Sequence, residues 1–231
     1  MTAWVPTNQY TIGYRPQPTH RLSTSTIELT HLAVAFLVLT FDLAVFRTSF
    51  LGSGGFVTPN PSRIADGLAF GAAAAATGFV AHEMAHKISA QRHGFWAEFR
   101  MSPFGLMLSV FSALIVGVIF AAPGATMIGG MGDRREWGRT SLAGPTVNLL
   151  EGLAFAGVGF LGSALGWSVD IVVSLLLLAF FNAWFAAFNL LPFGPLDGRK
   201  VLRWSAPIWA VAFALSAAFA GIMFFLSVLT V

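Results

Sequence analysis

The sequence contains no cysteine, and only 10% of its 231 residues are charged. Without cysteine there are no disulfides and no thiolate-ligated metal sites, so any metal must be held by His, Asp or Glu. Soluble domains carry about 25% charged residues, and a chain of this length keeps much of its surface wet. An ordinary soluble domain and a disordered chain are therefore both excluded.

Positive charge is also too scarce to indicate a nucleic-acid partner. Thirteen Lys and Arg residues face ten acidic residues, which leaves a formal net charge of only +3. A nucleic-acid-binding surface needs a clustered basic patch, and the sequence has no run of charge. With 56% hydrophobic residues, the chain is predicted to be an integral membrane protein whose surroundings are the lipid bilayer.

Six apolar stretches approach the length of about 20 residues that a helix needs to cross a bilayer. They cover residues 27–46, 64–88, 103–122, 140–165, 169–191 and 207–231. Residues 1–26 are polar, contain three prolines and have no apolar h-region, so we expect a tail and not a signal peptide. The linkers are short, so we expect residues 27–231 to form a single membrane-embedded domain.

The second stretch contains the segment His82-Glu83-Met84-Ala85-His86. Residues four apart share one face of a helix, so His82 and His86 can both reach one metal ion. Glu83 lies about 100° around the helix from His82, which suits a general base acting on water at the metal. Ionisable groups inside a membrane helix are costly and indicate a functional site.

Two histidines leave a catalytic zinc site one protein ligand short. The remaining candidates are Glu28, His31, Asp42, Glu151 and Asp197, together with His93, which is expected two turns beyond His86 and past the membrane edge. Asp197 follows a segment that Pro192, Gly194 and Pro195 keep from being helical. Irregular backbone at membrane depth is tolerated where it lines a buried or wet cavity, so a carboxylate there is well placed to reach a metal.

Three motifs then occur in a recognisable order: H-E-x-x-H at 82–86, S-L-A-G-P-T-V-N at 141–148, and N-L-L-P-F-G-P-L-D-G at 189–198. Together they resemble the site-2 protease family of intramembrane zinc metalloproteases, over about residues 64–201. The resemblance implies one zinc ion held by His82, His86 and Asp197, with Glu83 as the catalytic base. It also implies substrates that are transmembrane proteins, cleaved in or near their membrane helices.

The same resemblance implies a set of residues near the substrate. The segment 120–125 resembles an edge-strand region of archaeal and bacterial members. The implied substrate-binding residues are Asn189, Asn148, Gly124 and Ala125, and Asn148 is also expected close to the zinc site. Many bacterial members carry a PDZ domain, for which this sequence has no room, so we expect a minimal, core-only member.

The metal site also makes a demand on topology, because His82, His86 and Asp197 must reach it from the same side of the membrane. If all six stretches cross, Asp197 lies on the opposite side. If residues 103–122 enter and return without crossing, Asp197 joins the histidines. The predicted fold is therefore an all-α polytopic membrane protein with five or six transmembrane segments and a re-entrant segment near residues 103–130.

Charge bias favours the same arrangement independently. With re-entry, eleven basic residues lie on one side: Arg15, Arg21, Lys87, Arg92, Arg100, Arg134, Arg135, Arg139, Arg199, Lys200 and Arg203. Only Arg47 and Arg63 lie on the other. By the positive-inside rule, the N-terminus and the opening of the active site are predicted to be cytoplasmic, in a multi-pass protein of the cell membrane.

We expect the re-entrant segment to be a β-hairpin, because its middle is rich in β-branched residues: Val110, Ile115, Val116, Val118 and Ile119. A hairpin could offer an open edge to an extended substrate. Two other functions stay open on the residues alone. One is another membrane H-E-x-x-H peptidase, such as a prenyl-protein protease, and the other is a non-catalytic metal transporter or scaffold.

Overall fold

The computed structural model describes residues 23–50, 63–115 and 123–229. Its elements, in chain order, are α1 (Thr26–Phe50), α2 (Ile64–Ala75), a π-helical segment (Ala76–Ala81), α3 (His82–Arg92), β1 (Trp96–Met101), α4 (Pro103–Ile115), β2 (Gly124–Gly129), α5 (Arg134–Ala164), α6 (Val169–Asn189), α7 (Asp197–Trp204) and α8 (Ala206–Leu229). The predicted all-α polytopic fold with a small hairpin is confirmed. Most of the predicted tail, residues 1–22, lies outside the described residues.

Five helical segments of the described chain are long and apolar enough to cross a membrane. They are Thr26–Thr48, Ile64–Arg92, Arg134–Ala164, Val169–Asn189 and Ala206–Leu229. Of the third apolar stretch, the structure describes residues 103–115, which form α4; its 13 residues reach roughly 20 Å at 1.5 Å per residue. A hydrocarbon core is about 30 Å thick, so α4 is too short to span it. The protein is therefore a multi-pass membrane protein.

The two strands show how the chain returns after α4. β1 and β2 pair antiparallel, with Trp96 opposite Gly129 and Met101 opposite Gly124. The chain between β1 and β2 therefore begins and ends at neighbouring points. Because β1 follows α3 and β2 precedes α5, α5 starts beside the end of α3. This is the re-entry that the sequence predicted.

Strand β2 lies within the hairpin region predicted near residues 103–130, whereas strand β1 precedes that region. The β-branched residues Val110 and Ile115 belong to helix α4, while Val116, Val118 and Ile119 lie outside the described residues. The strands flank the apolar stretch, and β1 occupies a segment that was expected to be a loop. Helix and strand propensities differ by only about 1 kcal/mol per residue, so packing of α4 against α1 overrides them.

Helix α6 lies at the centre of the bundle, because it is by far the most buried of the five spans. The largest core cluster joins α1, α2 and α6, through residues such as Leu39, Phe70 and Phe181. Helices α1 and α2 approach closely at Gly71, where an added Cβ would collide with the backbone of Thr40. Small residues allow such close packing in membranes, where no hydrophobic effect drives helices together.

Polar side chains connect α1 to α3 and β1 at one end of the bundle. The buried Glu28 carboxylate accepts hydrogen bonds from Lys87 Nζ at 2.5 Å and from the Phe99 N–H at 3.1 Å. His31 Nδ1 accepts from the Met101 N–H at 3.4 Å. The outer edge of β1 is thus covered by α1, and this contact orients the sheet relative to α3.

Candidate metal centre

Three side chains converge at a buried point between α3 and α7. His82 Nε2 lies 2.9 Å from His86 Nε2, and Asp197 Oδ2 lies 3.4 Å and 2.9 Å from these two nitrogens. All three residues are buried. Zinc ligands at about 2.0–2.2 Å from an ion stand about 3.3–3.6 Å apart in a tetrahedral site. The spacing therefore suits one metal ion shared by these three ligands.

The hydrogen bonds on the far side of each imidazole show which nitrogen faces the centre. His86 Nδ1 lies 2.7 Å from the carbonyl oxygen of Thr140, which can only accept, so Nδ1 carries the proton. His82 Nδ1 likewise donates to Asn148 Oδ1 at 2.5 Å. Both Nε2 atoms therefore point their lone pairs at the Asp197 carboxylate. The two Nε2 atoms and the Asp197 carboxylate are all acceptors, so together they can bind a cation or share a proton.

A network of amides holds Asn148 in its orientation. Asn148 Nδ2 donates to the Gly78 carbonyl at 2.9 Å and to Asn182 Oδ1 at 3.1 Å. Asn182 in turn donates to Thr77 Oγ1 and to the Leu178 carbonyl, both at 3.0 Å. Because Gly78 offers only an acceptor there, the Asn148 amide must turn its oxygen to His82. Asn148 is fully buried, and its polar atoms are all used within the protein.

The backbone around the histidines is adapted to this packing. The π-helical segment Ala76–Ala81 directly precedes His82 and contains Gly78. π-Helical turns inside α-helices are rare and frequently occur at functional sites. On the facing helix α5, a Cβ added at Gly144 would lie 2.5 Å from His86 Nε2 and 2.6 Å from His82 Nε2. Only glycine leaves room there for the two rings and an ion.

Glu83 lines the same cavity as the three ligands and is hydrogen-bonded to strand β2. Its Oε2 accepts hydrogen bonds from the Thr126 N–H at 2.8 Å and from Thr126 Oγ1 at 2.6 Å. Both bonds end on one oxygen, so Thr126 leaves the other carboxylate oxygen unused. The structure thus couples the candidate general base to the strand beside the metal centre.

Asp197 is the first residue of α7, where a negative side chain interacts favourably with the helix dipole. The next residue, Gly198, packs directly on the Leu190 carbonyl at the end of α6, where no Cβ fits. That close contact explains why the aspartate is followed by glycine.

A cavity of about 100 Å³ opens onto the metal centre. Its wall includes His82, Glu83, His86 and Asp197, with Asn189 from α6 and Gly124, Ala125 and Thr126 from β2. Three of the four residues expected near substrate, Asn189, Gly124 and Ala125, therefore line the cavity. Asn189 Nδ2 donates to the Phe185 carbonyl at 3.0 Å, which fixes its amide at the end of α6.

The other candidate third ligands lie elsewhere. His93 is exposed, and its Nδ1 donates to the Ser89 carbonyl. Glu28 and His31 bind β1, and Asp42 is buried within α1. Glu151 lies one turn beyond Asn148 and is not among the ligand atoms that converge. Within the described residues, the convergent group consists of His82, His86 and Asp197.

Sequence reasoning missed three residues that support the centre: Thr140, Thr126 and Asn182. Thr140 acts through its backbone carbonyl, which no side-chain motif encodes. Thr126 and Asn182 act across long-range contacts. The one available signal was the polar character of Asn182 within the otherwise apolar α6, which marks an interior hydrogen bond.

Comparison with known proteins gives one informative similarity. The chain is 36% identical over 142 residues to a Methanocaldococcus jannaschii protein named "Putative zinc metalloprotease MJ0611". The matched region covers 60% of this chain and 71% of that protein. No family model matches the chain, and neither does a solved structure. With a buried His–His–Asp centre in a membrane-spanning bundle, the chain belongs to the same zinc metalloprotease family as that protein.

Proposed function

We propose that this membrane metalloprotease is an intramembrane zinc endopeptidase of the site-2 protease type, which hydrolyses peptide bonds in or near transmembrane helices of other membrane proteins. The observation that carries the proposal is the convergence of His82, His86 and Asp197 beside a strand edge, within a bundle of membrane helices. Such a site gives a protease its metal and a place for an extended substrate.

In this proposal, His82, His86 and Asp197 hold one zinc ion. A bound zinc ion supplies Lewis acidity, which activates water toward a peptide carbonyl. Asn148 and the Thr140 carbonyl orient the two imidazoles and keep the Nε2 lone pairs free for the ion. Asn148 therefore takes a positioning role and not the substrate contact expected from the motif.

Glu83 is the proposed general base and acid. It accepts a proton from the attacking water and passes it to the nitrogen of the leaving amine, which balances the hydrolysis. Thr126 holds one carboxylate oxygen of Glu83 with two hydrogen bonds. A restrained carboxylate loses less entropy on reaching the reactive geometry, so this contact favours catalysis.

Strand β2 is the proposed platform for the substrate. The outer edge of β1 is covered by Glu28 and His31 of α1, whereas β2 lines the cavity. A helical substrate hides its carbonyls in its own hydrogen bonds and must unwind before attack. Pairing with Gly124 and its neighbours on β2 would replace some of those bonds. Asn189, across the cavity, is placed to donate to the same extended segment.

The orientation of the protein is part of the proposal. Nine described basic residues lie at the end of the bundle that holds the centre, and Arg47 and Arg63 lie at the other end. The positive-inside rule then makes the N-terminus and the opening of the centre cytoplasmic. The partners are transmembrane protein substrates within the bilayer, and one membrane-embedded domain over residues 27–231 carries the activity.

The decisive experiment compares Glu83→Gln with Asp197→Ala in proteoliposomes that contain candidate single-pass membrane substrates. We expect Glu83→Gln to retain one zinc per chain and lose cleavage at least about 100-fold, because only proton transfer is removed. Asp197→Ala should lose both zinc and cleavage. The matched control is Glu98→Gln, which makes the same chemical change on β1 outside the cavity.

The alternatives predict other results. A transporter or scaffold would be indifferent to Glu83→Gln, so wild-type activity in that variant would contradict the proposal. A prenyl-protein protease of the H-E-x-x-H type takes its third ligand from Glu or His, so unchanged zinc content in Asp197→Ala would contradict the ligand assignment. Cleavage by the wild type that occurs only in soluble peptides, and never within membrane substrates, would contradict the intramembrane role.

A further inference from the structure

A second cavity lies at the end of the bundle opposite the metal centre, between α1, α2 and α6. Its volume is about 670 Å³. Four charged residues at helix ends form one part of its wall: Arg47, Arg63, Asp66 and Asp170. Apolar residues deeper along the helices, among them Ala69, Ala73 and Leu178, form the rest. We call this cavity the distal groove.

Arg47 is the unusual member of this wall. Its side chain is 7% exposed, although it carries a permanent charge. Its Nη2 donates to Ser174 Oγ at 2.7 Å and to the Asp170 carbonyl at 3.5 Å, and its guanidinium lies 5.7 Å from the centre of the Phe70 ring. Among the described residues, Nη1 has no hydrogen-bond partner. A buried donor without an acceptor is costly, so Nη1 is open to a hydrogen-bond acceptor at this point, and a phosphate oxygen is one.

The wall of the distal groove changes from charged to apolar with increasing depth along the helices. Leu178 lies eight residues after Asp170 on α6, which is about 12 Å deeper along the helix. Ala73 lies seven residues after Asp66 on α2, or about 10 Å deeper. The charged end is therefore near the membrane surface and the apolar end is within the hydrocarbon. This gradient matches a molecule with a charged head and an acyl chain.

The charges at the head end select among phospholipids. Two guanidinium groups and two carboxylates line it, so the head end has no net charge. A phosphodiester would bind the guanidinium of Arg47, and Arg63 lies at the same end to share it. Asp66 and Asp170 would then accept hydrogen bonds from an ammonium group and disfavour a headgroup with net negative charge.

We propose that the distal groove binds one phospholipid with an amine-bearing, zwitterionic headgroup, whose phosphate is held by Arg47 and whose acyl chain lies along Ala69, Ala73 and Leu178. This binding is independent of zinc and of proteolysis. It places a lipid against α1, α2 and α6, which are the helices that share the main core cluster.

The test uses the full chain, purified in detergent and examined by native mass spectrometry. The probes are dioleoylphosphatidylethanolamine, dioleoylphosphatidylglycerol and inorganic phosphate, each added separately. Arg47→Met removes the charge and keeps the length of the side chain. Ala69→Trp fills the apolar part from an exposed position without touching Arg47. The control is Arg92→Gln, which removes an exposed arginine at the other end of the bundle.

For the wild type we expect one tightly held phosphatidylethanolamine. Its retention should fall about tenfold in Arg47→Met, because a charge-assisted hydrogen bond is lost. It should also fall in Ala69→Trp, which tests the site even if Arg47→Met fails to fold, and remain unchanged in Arg92→Gln. Equal retention in the wild type and both site variants would overturn the proposal. So would preference for phosphatidylglycerol, or saturation by inorganic phosphate without any lipid.

Discussion

Gly144 is the residue where the metal centre has the least space. A Cβ at this position would lie within 2.7 Å of both imidazoles, whereas nothing lies within 4 Å of a Cβ at Gly157 on the same helix. We expect Gly144→Ala to displace the histidines and lower zinc content to below about a tenth of wild type, as for other losses of support around ligands. Gly157→Ala should stabilise the protein by up to about 1 kcal/mol. Zinc analysis and thermal unfolding of both variants measure this, and full zinc in Gly144→Ala would contradict the geometry.

Asn148 supports the metal centre through a single oxygen. We expect Asn148→Leu to remove the partner of His82 Nδ1 and to weaken zinc binding about 10–100-fold. Asn148→Asp keeps an acceptor for His82 and should retain most of the affinity, although it loses the bonds to Gly78 and Asn182. Competition with a zinc chelator measures the difference. Identical affinities for the leucine and aspartate variants would show that His82 does not depend on this hydrogen bond.

At the scale of elements, the contact between α1 and α3 rests on the buried pair of Glu28 and Lys87, 2.5 Å apart. Removing one partner leaves the other charge buried and should destabilise the protein by about 3–5 kcal/mol. Glu28→Leu and Lys87→Met are therefore each expected to lower the unfolding temperature strongly. The double variant should recover part of the loss, because it leaves no unpaired charge. Additive losses in thermal unfolding would contradict a direct pairing.

Glu28 also connects this ion pair to the sheet, because the same carboxylate binds the Phe99 N–H of β1. Helix α1 therefore fixes β1, β1 fixes β2, and β2 holds Glu83 through Thr126. The position of the candidate base thus depends on helix α1, which contributes no residue to the metal centre itself.

At the scale of the whole molecule, the antiparallel return of β1 and β2 determines which helix ends lie together. The absence of cysteine makes this testable with single introduced cysteines. His93→Cys and Met131→Cys should react with a membrane-impermeant reagent from the cytoplasmic side, and Leu165→Cys from the opposite side. Met131 is 98% exposed and Leu165 64%, so both are accessible. Labelling of His93→Cys and Met131→Cys from opposite sides would contradict re-entry.

The sequence by itself determined whatever depends on local spacing and composition. Low charge required a membrane protein, and spacing of i and i+4 on a helix paired His82 with His86. Charge bias and the demands of a shared metal were enough to predict that residues 103–122 do not cross. These inferences succeed because helix periodicity depends on the spacing of nearby residues, and the cost of charge in lipid depends on the composition of each segment.

Tertiary structure alone decided the rest. The hairpin predicted near residues 103–130 contains β2 but not β1, because pairing between β1 and β2 is a long-range contact across α4 that local propensity does not encode. It also could not show that Asn148 is turned to His82, that the Thr140 carbonyl holds His86, or that Thr126 holds Glu83. Each of these hydrogen bonds joins segments that are distant in the chain. Buried polar groups in a membrane bundle must find their partners within the protein, and the partner of each group is determined only when those segments pack together.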